Sequence, residues 1–89
     1  NSTSRTILVV GSVSAAPAKS GTWTDYAEFQ VGDGATPDVK QGKYGGTQAL
    51  TDSLFYAFIG VVSPGQTYRL VHTTSASTSS ISYWNEILL

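Results

Sequence analysis

The chain has no cysteine, no methionine and a single histidine. Without cysteine there are no disulfides and no thiolate zinc site. One histidine rules out a multi-histidine metal centre within one chain. Charge is scarce as well: 12% of the residues are Asp, Glu, Lys or Arg, and the formal net charge is −1. Nucleic-acid binding needs clustered Lys and Arg to neutralise phosphates, and no such cluster is present. No apolar run is long enough to cross a bilayer as a helix, and no secretory leader is visible. The composition therefore points to no cofactor, no metal, no nucleic acid and no membrane insertion.

Serine and threonine take the place of charge, at about a quarter of the 89 residues. A polar but uncharged surface of this kind suits extracellular and virion β-proteins better than cytosolic enzymes. At this length the chain is one domain, residues 1–89, whose lone core is marginal. Small folds without disulfides or metals commonly gain burial by oligomerising. The chain lacks an initiator Met and is expected to be a fragment of something longer. Asn1-Ser2-Thr3 matches a glycosylation sequon, which the reading treats as accidental.

Along the chain, β-branched and aromatic runs alternate with Gly/Pro punctuation. In Arg5 to Ala15, Ile7, Val9 and Val13 share one face with Gly11, and Leu8 and Val10 share the other. Thr22 to Val31 reads as a strand, with Ala27, Phe29 and Val31 alternating against Tyr26, Glu28 and Gln30. Gly32 to Asp38 is a turn cluster. Val39 to Ser53 is the least regular part, expected to be loops with a short strand near Thr47 to Leu50. In Phe55 to Val62, Phe55, Ala57, Ile59 and Val61 oppose Tyr56, Phe58 and Val62. Pro64-Gly65 marks a tight turn, Thr67 to Thr73 a strand, and Thr73 to Ser82 a polar loop. Ile81, Tyr83, Ile87 and Leu89 are expected on one face of the last strand, with Trp84, Glu86 and Leu88 on the other. Strands apolar on both faces are covered on both faces, as in a sandwich or a subunit interface. The pattern predicts an all-β, small antiparallel β-sandwich or jelly-roll-like domain.

Candidate chemistry is sparse. Asp33 and Asp38 in GDGATPD lack the alternating ligands of a calcium loop, and Asp in a Gly-rich turn ordinarily bonds its own backbone. A Ser-His-Asp hydrolase built on His72 would need a nucleophile at a sharp elbow, and no G-x-S-x-G is present. The glycine clusters match no phosphate-binding loop. No catalytic residue is assigned. The aromatics are the best functional lead, because a sugar ring has an apolar face and a polar rim. Trp23, Asp25 and Tyr26, with Lys43 and Tyr44, are the candidate ligand-binding residues, against the alternative that each aromatic simply fills the core.

Val61-Val62-Ser63-Pro64-Gly65-Gln66-Thr67-Tyr68, a Ser/Thr loop, and Ile81-Ser82-Tyr83-Trp84-Asn85-Glu86-Ile87 together resemble the C-terminal end of bacteriophage tail fibre and tailspike proteins. Those proteins often close on Trp-x-Glu-Leu, and here Ile87 replaces the Leu. The resemblance covers roughly the last third of the chain. It implies a homotrimeric tip domain of a virion fibre or spike, extracellular, that attaches to a host cell-surface glycan or protein or clamps the trimer. It also implies structural roles for Trp84 and Glu86. The rival readings are a free-standing, lectin-like carbohydrate-binding module of a secreted bacterial or fungal protein, and an enzyme accessory domain or small hydrolase using Asp25, Glu28 and His72.

Overall fold

In the computed structural model, residues 1–17, 22–49 and 52–89 are described. They form six strands: β1 (Ile7–Ala16), β2 (Trp23–Gly32), β3 (Val39–Gln48), β4 (Leu54–Val62), β5 (Thr67–Thr74) and β6 (Thr78–Leu88). No helix occurs among the described residues. The strands make two three-stranded antiparallel sheets, sheet I in the order β4-β1-β6 and sheet II in the order β3-β2-β5. The predicted β-sandwich is the observed architecture.

Period-two patterning positions the core. On β1, Ile7, Val9, Gly11, Val13 and Ala15 point inward, as the alternation predicts. On β2, Trp23, Asp25, Ala27, Phe29 and Val31 do the same. Ile7, Val9, Val13, Ala27, Phe29 and Val31, with Phe58 and Val62 from β4, make the buried cluster between the sheets, and Tyr44, Tyr56, Tyr68 and Leu70 pack around it. Phe29 and Tyr68 stack with ring centroids 6.2 Å apart, and Phe58 meets Trp84 at 5.6 Å. Gln66 N donates to Ser63 O across Pro64-Gly65, with Gly65 at φ +85°. A Pro-Gly turn with positive φ at its third residue was expected there. It carries the chain from β4 in sheet I to β5 in sheet II.

Three expectations are corrected. The first is Val39 to Ser53, which is not mostly loop: Val39–Gln48 is a ten-residue strand paired along β2. Its glycines hide the period, because Gly42 and Gly46 occupy inward-facing positions without side chains to mark them. Gly45 takes φ +108°, and Gln41 is an unpaired bulge residue between Lys40 and Gly42. Leu50, at the end of the expected short strand, lies outside the described residues.

The second is the polar loop, which is shorter than expected. β5 runs to Thr74 and β6 begins at Thr78, so Ser79 and Ser80 pair with Ala15 and Ser14. Hydroxyl side chains bonded across strands are as compatible with a sheet as with a loop.

The third is the parity of β6, which is broken. Tyr83 pairs with Ser12 but Ile81 pairs with Val13, leaving Ser82 as a bulge. Ile81 therefore faces inward with Trp84, Glu86 and Leu88, and only Tyr83 and Ile87 of the expected set stay on the outer face within the strand. One extra residue moves every side chain beyond it to the opposite face.

Candidate functional site

Asp25 sits at an inward position of β2 between Trp23 and Ala27, and its side chain is 0% exposed. A buried carboxylate must be compensated by hydrogen bonds. Three other strands supply them. Ser79 Oγ on β6 donates to Asp25 Oδ2 at 2.5 Å. Tyr56 Oη on β4 donates to Oδ1. His72 Nε2 on β5 lies 2.9 Å from Oδ1 and 3.0 Å from Ser79 Oγ. Burial pushes the Asp25 carboxyl up, but hydrogen bonds from Ser79, Tyr56, Thr74 and His72 outweigh it and hold its pKa below the ordinary value. Burial and then the neighbouring carboxylate push the Tyr56 phenol up, which keeps it protonated as a donor. Among the described residues, no buried side-chain nitrogen or oxygen is left without a partner.

The cluster contains a serine, a histidine and an aspartate, but its geometry differs from that of a catalytic triad. In a catalytic triad the imidazole bridges serine and aspartate through two different nitrogens, so that one can take the serine proton. Here Nε2 faces both partners, and the Ser79 hydroxyl spends its proton on the carboxylate directly. The arrangement ties β6 of sheet I to β2 and β5 of sheet II. Asp25 and His72 stand out in the sequence as candidates, whereas Ser79 and Tyr56 do not. A legible signal was available: Asp25 shares period two with Trp23, Ala27, Phe29 and Val31, and a carboxylate on an apolar face calls for donors.

Strand alternation separates the five candidate ligand residues. Trp23 is 1% exposed, and its Nε1 donates to Ala49 O at 3.0 Å. Asp25 is interior as described. Tyr26 points the other way, onto the outer face of sheet II, where Lys43 Nζ lies 4.4 Å from its ring centroid. Tyr44 is half-buried, and its hydroxyl donates to Ile59 O at 2.7 Å. The structure thus brings Tyr26 and Lys43 together and places the other three apart from them. Trp84 and Glu86 also bond each other, Nε1 to Oε2 at 2.9 Å, and Tyr68 Oη donates to Glu86 Oε1 at 2.6 Å. An open groove of about 370 Å³ lies at one end of sheet I, with Ser14, Ser53, Phe55, Thr78 and Ser80 in its wall.

The two outer faces differ sharply. Sheet II presents Glu28, Lys40, Lys43 and Arg69, together with Thr24, Tyr26, Thr47, Val71 and Thr73. Sheet I presents Leu8, Val10, Ser12, Ser14, Phe55, Ala57, Ile59, Val61, Tyr83, Asn85 and Ile87, with no charged residue among them. Phe55 is 69% exposed, and Ile59, Val61, Tyr83 and Ile87 are all exposed. Eleven large hydrophobics are exposed among the described residues, against ten hydrophobics in the core, two of them alanines. Five of the eleven, Phe55, Ile59, Val61, Tyr83 and Ile87, share the outer face of sheet I, and apolar patches on monomeric soluble proteins are ordinarily small.

No protein-family model matches the chain, and neither a curated protein nor a solved structure is significantly similar to it.

Proposed function

We propose that this chain is a non-enzymatic β-domain of a virion fibre or spike that works as a homotrimer, clamping the assembly and presenting its exposed surface for attachment to a host cell-surface glycan or protein. The observation that carries this reading is the uncharged, apolar outer face of sheet I set against the charged outer face of sheet II. One face is built for water and the other for protein contact. The wiring of the Asp25 cluster supports a structural role for its serine and histidine rather than a hydrolytic one. The order of strand, Pro-Gly turn, Thr-Tyr strand and Trp-x-Glu close, shared with tail fibre ends, supports the virion setting. Tyr26 beside Lys43 offers an aromatic face with a cation on the water-exposed side, a place where a sugar could stack.

Light scattering over a range of concentrations tests the assembly. A particle of about 28 kDa, three times the 9.4 kDa chain, that survives dilution is the expected result. A monomer throughout would overturn the trimer and favour a free-standing carbohydrate-binding module, which glycan arrays would then examine.

A further inference from the structure

Each sheet has two edges, and three of the four edges carry devices that discourage pairing. The β4 edge is occupied from within: Gln41 Nε2 donates to Val61 O at 2.7 Å, Val61 N donates to Gln41 Oε1 at 2.6 Å, and Tyr44 Oη caps Ile59 O. The β3 edge bears Lys40 and Lys43 and is broken by the Gln41 bulge. The β5 edge bears Arg69. Charges, bulges and covering groups of this kind keep edges from pairing with other chains.

β6 has a bulge at Ser82 and one inward charge, Glu86, but beyond the bulge neither covers its edge. Past the Ser82 bulge, Tyr83 to Leu88 is regular, and its one charge, Glu86, is turned inward to Tyr68 and Trp84. Leu89 N donates to Thr6 O, so in the alternating antiparallel ladder Asn85 and Ile87 turn their amides to β1, while Trp84, Glu86 and Leu88 turn theirs outward. Apolar side chains are exposed on both faces of the strand, Tyr83 and Ile87 on one and Ile81, Trp84 and Leu88 on the other.

We infer that β6 is the strand at which neighbouring copies of this chain join, its open edge and both of its apolar faces being covered by the next copy around the ring of the proposed homotrimer. The inference rests on the self-association proposed above and names the surface that carries it. Two observations select a second copy as the occupant. The outer face of sheet I and the β6 rim are continuous, the outer face carries no charge, and the one charge on β6, Glu86, is held by Tyr68 and Trp84 of the same chain. With aromatic side chains contributing about 150–250 Å² each when fully exposed, the exposed fractions of the apolar residues on β4 and β6 come to on the order of 800 Å², the share that one partner buries in a standard interface.

The test combines two exposed substitutions on β6, Tyr83→Lys and Leu88→Lys, with Phe55→Lys on β4 and Thr73→Lys on sheet II. Mass is read by light scattering, folding by far-ultraviolet circular dichroism, and amide exchange is read on the unmutated oligomer. Either β6 substitution is expected to weaken association about tenfold or more, while Thr73→Lys leaves it unchanged. The outward amides of Trp84, Glu86 and Leu88 are expected to be protected in the oligomer and to exchange on dilution. An oligomer that tolerates both β6 substitutions but is broken by Phe55→Lys overturns the role of β6 and leaves the self-association reading standing. Fast exchange at those three amides in the intact oligomer overturns it even if a substituted chain fails to fold. A wild-type monomer overturns both.

Discussion

The hydroxyl of Ser79 on β6 donates to the carboxylate of Asp25 on β2 at 2.5 Å, joining the two sheets through one buried charge. Tyr56 and His72 converge on the same carboxylate from β4 and β5. The expected cost of disrupting this cluster is large, because removing Asp25 leaves its donors facing one another in the interior. Asp25→Ala should destabilise the fold by about 3–5 kcal/mol, measured by urea denaturation. Ser79→Ala removes one donor and should cost about 1.5–3 kcal/mol.

The same carboxylate sets an acid limit. Its folded pKa lies below the ordinary 3.8, so its stabilisation is fully present above that value and is lost as pH falls through the folded pKa. Denaturation midpoints should be flat with respect to this group from pH 7 to about 5 and fall below pH 4. Asp25→Asn should start from a lower midpoint at pH 7 and show a shallower acid decline. An equally steep decline in the substituted protein would assign the acid sensitivity to other carboxylates.

Gly60 lies on the inner face of β4 against the ring of Phe29. A Cβ built there would stand 2.2 Å from Phe29 Cε1, and the ring is fully buried. Gly60→Ala should therefore cost about 1–3 kcal/mol by overpacking. The companion change Phe29→Leu in the same background should recover part of that loss, which a double-mutant cycle would read.

Gln41 stands in for a strand at the β4 edge, its amide bonded to both the N and O of Val61. Gln41→Ala should cost about 1–2 kcal/mol for the lost bonds. It should also uncover an edge, so larger species should appear in sedimentation at high concentration. Gln41→Glu keeps the acceptor for Val61 N but turns a carboxylate on Val61 O, and should be no better than alanine.

Glu86 accepts from Tyr68 and Trp84, and those two bonds hold its pKa below the ordinary range. Tyr68→Phe should let the Glu86 carboxyl titrate at higher pH, visible in the side-chain carboxyl resonance of Glu86. An unmoved resonance would mean that the Tyr68 bond is not kept in solution.

Some of this was legible in the amino-acid order. Ile7, Val9 and Val13 on β1, and Ala27, Phe29 and Val31 on β2, announced their buried faces because a strand alternates every residue and apolar side chains must leave water. The Pro64-Gly65 turn was readable because its backbone angles demand those two residues. The two-faced apolar runs of Leu8 and Val10, Phe55 and Ile59, and Tyr83 and Ile87 announced strands that are apolar on their outer side as well. Only the tertiary structure decided the rest. Local sequence carries no record of which strands pair, so the two sheets, the bulges at Gln41 and Ser82, and the side on which Ile81 falls came from cross-strand register. Residues 25, 56, 72 and 79 are far apart in the chain. They form one cluster because four strands bring their inward positions to one point, where a buried carboxylate is stable only if those donors arrive together.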